Sequence, residues 1–317
     1  MEQFSSFVAL LSAQPSWLIF LSSLGLLNLL RAAAVVLAFL HCTFLRPPRD
    51  LKSYGSWAVV TGATDGIGKA IAFELARRGL NLVIVGRNPA KLKQLADDIG
   101  GAAVVKPVVV DLAADDLAAA VGRLEAEVAD LDVGVLVNCA GTTYAHAMYF
   151  HEAQEEVWRG IVRVNVEATT RVTRAVLPGM VRRRRGAVVN IGSAASVAVP
   201  SFPLSTVYAA TKAYVDQFSR SLFMDYKKMG IDVQCQIPFY VATKMVSFKQ
   251  SSTFIPSPER YAKAAVRRIG YEVRCIPYWS HSLQWWATFF IPDFVLISRI
   301  LHVGINERNR ARGLKEA

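Results

Sequence analysis

The stretch Ala58-Val59-Val60-Thr61-Gly62-Ala63-Thr64-Asp65-Gly66-Ile67-Gly68-Lys69 decides how this chain folds. Residues 58–61 are apolar or β-branched and read as a short buried strand, and the apolar periodicity of 67–78 reads as a helix. Between them stand three glycines, Gly62-x-x-x-Gly66-x-Gly68. Glycines at such a junction let the chain turn sharply and bring backbone N–H groups close to a phosphate, beside the positive end of the helix. The spacing is longer than the G-x-G-x-x-G of the general dinucleotide-binding motif. A turn without a ligand is the plain alternative, and the rest of the chain weighs against it.

Outward from this junction, strand and helix patterns keep alternating. Strands are expected at 82–85, 104–110, 133–137, 187–191 and 231–236, and helices at 91–99, 115–129, 157–183 and 208–229. Short strands apolar on both faces, separated by amphipathic helices, imply a parallel sheet covered on both sides. The fold class is therefore α/β, a Rossmann-type doubly wound parallel sheet. Residues 239–275 are less regular, with a helix near 258–269, and no internal repeat or low-complexity tract is visible.

A chain of 317 residues admits one large domain or two. Apolar residues make up 53 % of it, and the mean hydropathy is +0.29, with the excess at the two ends. Residues 17–45 are nearly all apolar, broken by Asn28 and Arg31, and 17–40 exceed the roughly 20 residues that span a bilayer. Arg31 costs about 2.5–3.5 kcal/mol at the centre of a span and less where it snorkels, which the surrounding Leu, Ile, Phe and Val offset. A cleavable signal peptide wants a basic start and a shorter apolar stretch, whereas this N-terminus carries only Glu2. The expectation is an N-terminal membrane anchor, ended by Pro47-Pro48. Arg46, Arg49 and Lys52 follow it and no base precedes it, so the positive-inside rule puts the remainder in the cytosol.

Cys42, Cys139, Cys235 and Cys275 form no C-x-x-C pair and no framework, as expected of a reduced compartment. The net charge of +11 raises nucleic acid as a partner, but no recognition motif with interleaved aromatics accompanies it. Bases near anionic lipid suit a membrane-tethered domain instead. The densest run, Arg182 to Arg185, sits where it complements the end of a helix dipole, with Gly186 as the expected stop, in preference to a lipid-binding patch. Residues 278–303 carry Trp279, Trp285, Trp286, Phe289, Phe290 and Phe294, interrupted by Pro292, Asp293 and Arg299. An interfacial or re-entrant segment is expected there, with a core-covering helix as the alternative.

Tyr208 and Lys212 are four apart in an expected helix and so share a face. An ammonium beside a phenol lowers its pKa and favours proton transfer near neutral pH. Before this pair come Asn138-Cys139-Ala140-Gly141, Asn165 and Asn190-Ile191-Gly192-Ser193, in that order. With these parts the chain resembles the short-chain dehydrogenase/reductase family over roughly residues 52–280. The resemblance implies that Tyr208 donates a proton to a substrate carbonyl and that Ser193 hydrogen-bonds the same oxygen. It also implies that Lys212 binds the nicotinamide ribose and that Asn165 holds a water linking Lys212 to solvent. Ser196 competes with Ser193, because the step from Ser193 to Tyr208 is slightly long for the family.

For the cofactor, the resemblance implies Gly62, Thr64, Asp65, Gly66, Ile67 and Gly68 around the phosphates, and Asn138, Ala140 and Gly141 along its length. Val241 and Thr243 would meet the nicotinamide amide, with Tyr208 and Lys212 also in contact. An acidic residue after the second strand suits the 2′-hydroxyl of NAD, whereas Arg87 suits the 2′-phosphate of NADPH, with Lys69 as possible support. Asp111 matches the family's aspartate near the adenine, and equally a helix-starting aspartate. No metal is implied.

Pro238-Phe239-Tyr240-Val241-Ala242-Thr243-Lys244-Met245 departs from the family's Pro-Gly-x-x-x-Thr, and Phe239 removes a glycine's freedom. That segment, the anchor and Pro277-Tyr278-Trp279-Ser280-His281 look like the membrane-bound very-long-chain 3-oxoacyl-CoA reductases, above all their plant members. These act in the endoplasmic-reticulum fatty-acid elongase and are close to the 17β-hydroxysteroid dehydrogenases. The expected organisation is an anchor and linker over 1–50, an NADP-binding reductase domain over 51–277 with a substrate lid at about 239–275, and a C-terminal membrane-associated segment and basic tail over 278–317. The implied partners are a long-chain acyl-CoA, the endoplasmic-reticulum membrane and other elongase components, with the catalytic domain facing the cytosol and no nucleic acid bound. Reduction of a steroid or other lipid ketone stays open, as does a catalytically silent scaffold of the elongase. The final 313–317 keep only one lysine of a dilysine retrieval signal and say little about address.

Overall fold

Val59 points to one side of its strand and its neighbours Ala58 and Val60 to the other, yet all three are fully buried, in two separate apolar clusters. A strand buried on both faces needs helices above and below it, and the computed structural model supplies them. It describes residues 14–246 and 250–313. The chain divides into two units, 1–47 and 48–317, so 278–313 belong to the second. Residues 1–13 of the expected anchor, 247–249 of the expected lid and 314–317 of the expected tail lie outside the described residues.

The first unit holds α1 (Ser16–Leu40), continued by a π-helical turn, His41–Leu45. Its 25 residues rise about 38 Å, more than the ~30 Å of a hydrocarbon core. Mean hydropathy reaches 2.0 over this stretch and none of the helix is buried. It is the one continuous helix among the described residues long and apolar enough to cross a membrane, and so a candidate anchor.

In the second unit the chain runs β1 (Trp57–Thr61), α2 (Gly66–Arg77), β2 (Asn81–Gly86), α3 (Pro89–Ile99), β3 (Val105–Val109), α4 (Leu117–Val128) and β4 (Val133–Asn138). It continues with α5 (Glu155–Val162), α6 (Thr169–Arg183), β5 (Gly186–Ile191), the short α7 (Ala194–Val197), α8 (Thr206–Tyr226) and β6 (Ile231–Gln236). Last come α9 (Pro258–Arg267), β7 (Arg274–Cys275), α10 (Trp279–Thr288) and α11 (Asp293–Ala311). The strands are all parallel, in the order β3-β2-β1-β4-β5-β6-β7. Ile71 and Leu75 of α2, Leu92 of α3 and Val266 of α9 cover one face. Leu124 of α4 and Val172 and Met180 of α6 cover the other. The chain reverses direction across the sheet between β1 and β4, and in such sheets ligands bind in the crevice at the carboxyl ends of those strands.

Three local features differ from the sequence expectations. The long helix at 157–183 is two helices joined by a π-helical segment, Arg163–Ala168, which carries Asn165. α6 ends on Arg184, itself left-handed at φ 53°, rather than on Gly186. Gly186 opens β5, where a Cβ would come 2.6 Å from the Met180 sulfur, so its glycine serves packing. Of the basic run there, Arg183 and Arg185 both pair with Asp132, at 3.0 and 3.1 Å, which favours a local role over a lipid patch.

α10 and α11 meet at a 119° bend and together pass the length and composition test for a broken span. The turn between them leaves Phe289, Phe290 and Phe294 72 %, 87 % and 73 % exposed. The far half of α11 is docked. Gly304 lies against Leu204, where a Cβ would come 2.9 Å from the leucine Cδ1, and Arg308 grips both carboxylate oxygens of Glu152. The hydrogen bond from Arg308 holds the Glu152 carboxyl down to about 2. The docked contacts lie just beyond residues 278–303, and within that span the three phenylalanines stand out from the core.

Candidate active site

The glycine loop is tight because its neighbours leave no room for side chains. Gly62 has φ +66°, and a Cβ there would come 2.8 Å from the Ala140 Cα. A Cβ on Gly68 would come 2.3 Å from the Gly62 carbonyl oxygen. The loop therefore folds directly onto the first turn of α2 and onto the chain leaving β4. Asp65 caps α2, accepting from the Gly66 N–H at 2.9 Å. Lys244 donates to its other oxygen at 2.8 Å, and Lys91 stands 3.8 Å away. These partners, the Lys244 hydrogen bond foremost, hold the Asp65 carboxyl below its ordinary range. Ile67 packs on the main core and on the cluster that holds Val241, and Thr243 sits 3.2 Å from where a Gly66 Cβ would be, so the segment expected to meet the nicotinamide rests on the glycine loop.

At the end of β2, the Thr64 methyl lies over Gly86, 2.8 Å from where a Cβ would stand. Arg87 is exposed, and among the described residues it has no hydrogen bond or ion pair. Lys69, the expected support, is engaged by Asp98 at 3.3 Å. Asp111 is exposed, and one of its oxygens accepts from the Ala113 N–H at 2.9 Å in the turn after β3, while the helix-starting role falls to Asp116, which caps α4. Asn138 is buried, its amide donating to Thr173 at 2.9 Å and Asn190 at 2.8 Å. Its side chain thus ties β4 to β5 and α6. A glycine cradle at a helix N-terminus with an unengaged arginine beside it fits a phosphorylated dinucleotide.

α8 presents Tyr208, Thr211, Lys212 and Val215 along one side, and all but Tyr208 are buried. Tyr208 keeps some exposure, but burial raises its pKa, and the nearby Ser193 hydroxyl lowers it in part. Lys212 is 7 % exposed and donates to the Ile191 carbonyl at 2.9 Å, with burial lowering its pKa. Its Nζ stands 5.9 Å from the Tyr208 ring centre. The expected depression of the phenol by the ammonium is thus corrected: burial dominates at Tyr208, and Lys212 is turned to a main-chain acceptor.

Ser193 caps α7 and takes the Ala195 N–H at 3.2 Å, whereas the Ser196 hydroxyl donates back to the Ser193 carbonyl at 2.8 Å. Of the two, only Ser193 bears on the Tyr208 phenol. Asn165 is 1 % exposed. Its Oδ1 accepts from the Thr142 N–H at 2.9 Å, and its Nδ2 donates to the Thr142 carbonyl and the Thr211 hydroxyl, both at 3.0 Å. The amide is a brace between the chain leaving β4 and the catalytic helix, and the π-helical segment turns it inward. Gly141 completes the cluster, since a Cβ there would lie 3.4 Å from both Asn165 and Lys212.

Sequence reasoning missed Thr61, whose hydroxyl accepts from the N–H groups of Cys139 and Ala140 at 3.1 Å each and sets the turn after β4. It also missed the two lysines on Asp65. Lys91 lies in the first turn of the helix after Arg87, and Lys244 follows Thr243, so adjacency to expected site residues was the available signal. Phe239 takes no left-handed conformation, because among the described non-glycine residues only Arg184 and Leu204 have positive φ. The loop after β6 therefore follows a path that needs no glycine.

Comparison with known proteins agrees with this geometry. A family model described as short chain dehydrogenase matches residues 56–253. A very-long-chain 3-oxoacyl-CoA reductase-like protein of Arabidopsis thaliana is 48 % identical over 94 % of this chain and 97 % of its own length. A very-long-chain 3-oxoacyl-CoA reductase of Coprinopsis cinerea is 38 % identical over 96 % and 94 %. A human protein named inactive hydroxysteroid dehydrogenase-like protein 1 is 42 % identical over 78 % and 76 %. Among solved structures, a short-chain dehydrogenase from Sphingobium yanoikuyae in complex with NADPH superposes with a TM-score of 0.64 at 29 % identity, covering 74 % of this chain and 92 % of that one. Sheet order, glycine cradle and the Ser193–Tyr208–Lys212 cluster stand together with a match over most of the second unit, and the chain belongs to the short-chain dehydrogenase family.

Proposed function

We propose that this protein is an NADPH-dependent reductase that converts very-long-chain 3-oxoacyl-CoA to 3-hydroxyacyl-CoA in fatty-acid elongation. The observation that carries the reading is the buried Lys212 one turn along α8 from Tyr208, at the carboxyl ends of the central strands, with the Ser193 hydroxyl near the phenol. When bound, NADPH supplies a hydride to the keto carbon. Tyr208 gives its hydroxyl proton to the oxygen that becomes an alkoxide, and Ser193 donates a hydrogen bond to the same oxygen. Lys212, one turn from the phenol on the same face of α8, would hold the nicotinamide ribose. Asn165 holds the catalytic helix and the chain leaving β4 at a fixed spacing. Arg87 meets the 2′-phosphate, and Gly62, Gly66 and Gly68 bring main-chain N–H groups to the diphosphate.

Reduction of a steroid or other lipid ketone uses the same groups and is the second reading. The 42 % identity to a relative named inactive keeps a catalytically silent scaffold as the third. The test is an assay of the purified full chain with NADPH and NADH against 3-oxoacyl-CoAs of increasing length and a set of ketosteroids. Turnover of the long acyl substrates with NADPH is expected. Preferred turnover of ketosteroids overturns the substrate, and bound NADPH without any turnover supports the scaffold. In the same assay, Arg87→Asp replaces a charge-assisted hydrogen bond by like-charge repulsion and should lower the NADPH-over-NADH preference about 10- to 100-fold. An unchanged ratio removes Arg87 from the site.

The same proposal places the protein in the endoplasmic-reticulum membrane with the second unit in the cytosol, beside other elongase components. α1 supports one membrane contact, and the exposed Phe289, Phe290 and Phe294 support a second, at headgroup depth. Deleting residues 1–45 should leave a protein that still floats with liposomes, and the further change of those three phenylalanines to serine should release it. A fully soluble first deletion removes the second contact.

A further inference from the structure

Tyr208 stands in the first turn of α8, the weakest place in a helix to hold a reacting group. The N–H groups of that turn have no partner inside the helix and must find acceptors elsewhere. Ser205, at the N-cap, makes no side-chain bond to them. An acceptor comes instead from a distant part of the chain. The Val207 N–H donates to the Tyr144 hydroxyl at 3.3 Å. Tyr144 lies 63 positions earlier, in the loop leaving β4, and is 6 % exposed. Burial raises its pKa and the Val207 N–H lowers it in part, so it accepts as a neutral hydroxyl.

Leu204, just before the N-cap, shows that the start of α8 is set from outside the helix. It is buried with φ +62°, a left-handed conformation that costs energy in a bulky residue and persists only where neighbours over-determine it. Its carbonyl accepts from the Met148 N–H at 3.0 Å, and its side chain lies against Gly304 of α11. The loop leaving β4 therefore meets the start of α8 twice, at Leu204 and at Val207. A further tie lies on the other side of Tyr208. Its carbonyl accepts from the Thr211 hydroxyl at 2.7 Å, and that hydroxyl accepts from Asn165, which also holds Thr142 at the head of the same loop. Tyr208 is thus bracketed by ties at Val207 and Thr211.

We propose that Tyr144 is a positioning residue for the proton transfer: its hydroxyl caps α8 from the loop leaving β4, and so fixes the turn that carries Tyr208. The inference deepens the reductase reading and rests on it. A reacting group misplaced by about 1 Å can cost roughly 10²-fold in rate, and a frayed first turn allows such a shift. Phenylalanine at 144 keeps the buried ring and removes only the acceptor, so its effect isolates the cap.

The experiment compares Tyr144→Phe, Tyr208→Phe and the double variant Tyr144→Phe/Tyr208→Phe with wild type, all as the full chain. Single-turnover kcat and KM for a long 3-oxoacyl-CoA, NADPH affinity, and amide hydrogen exchange along α8 in the NADPH-bound protein are measured together. Tyr144→Phe should lower kcat about tenfold, with KM and NADPH affinity within about threefold. In the Tyr208→Phe background the same change should alter the residual rate less than about twofold, because both act through one phenol. A kcat within about twofold of wild type, additive losses, or a fall in NADPH affinity as large as the fall in kcat overturns the proposal. If the wild type reduces no 3-oxoacyl-CoA, the reductase reading fails by itself, and the cap is still judged from exchange. Exchange at residues 206–208 of Tyr144→Phe at least about fivefold faster, with the rest of α8 unchanged, supports the cap, and equal exchange overturns it.

Discussion

Tyr208→Phe is expected to keep NADPH affinity within a few-fold and to lose about 10²- to 10⁴-fold in kcat, the usual worth of a positioned general acid. Phenylalanine fills the same space on α8, so Lys212, Thr211 and the Asn165 brace keep their partners. What goes is the phenol hydroxyl near Ser193. Burial sets the pKa of this phenol above its ordinary value, so Tyr208 holds its proton throughout the working range and acts as an acid in the reductive direction. Single-turnover measurements separate this step from product release. Near-normal turnover of Tyr208→Phe, where chemistry limits the rate, removes Tyr208 from the proton-donating role.

The second large effect is on stability. Asp216 of α8 is 4 % exposed, and both its oxygens are taken by Arg274 of β7, one at 2.8 Å from Nε. The pair fastens the helix that carries Tyr208 and Lys212 to the last strand. Asp216→Ala leaves a partly buried guanidinium without its carboxylate, which costs about 3 kcal/mol, the low end for broken buried pairs because Arg274 keeps some solvent. In a domain of this size that should lower Tm by about 6–12 °C. Thermal melts of wild type, Asp216→Ala and Asp216→Ala/Arg274→Met check it. A fall below about 2 °C in the single variant means that the pair contributes nothing, and a double variant more stable than the single is the expected sign of an unpaired charge.

Much of this molecule was legible in its sequence because each central strand is apolar on both faces, a pattern that only a doubly covered sheet produces. The glycine junction was legible for a related reason: contacts of 2.3 and 2.8 Å at Gly68 and Gly62 admit no other residue. Other features were not legible because tertiary partners decide them. Nothing in 157–183 marks the π-helical segment that turns Asn165 inward. The two residues of β7 are too few to carry a period, and Arg274 finds its carboxylate in Asp216, 58 positions away. The four-residue step from Tyr208 to Lys212 set a shared face correctly, but the ammonium's hydrogen bond goes to Ile191, which sequence spacing cannot choose. Ser193 and Ser196 differ only in where their hydroxyls point.

The outer margin of the sheet has a consequence for how copies of the chain meet. β3 pairs only with β2, so its far side is a free edge. The Val104 carbonyl and the Val110 N–H both face β2, and alternation along the strand then turns the main-chain groups of 105, 107 and 109 outward. At the middle of that outward set stands Pro107, exposed and without an N–H to offer, next to Lys106. A strand from a neighbouring copy laid along this margin meets an imide where it needs a donor and a charge at its flank. When copies of the chain collide edge to edge at this margin, Pro107 keeps the contact from growing into a continuous intermolecular sheet.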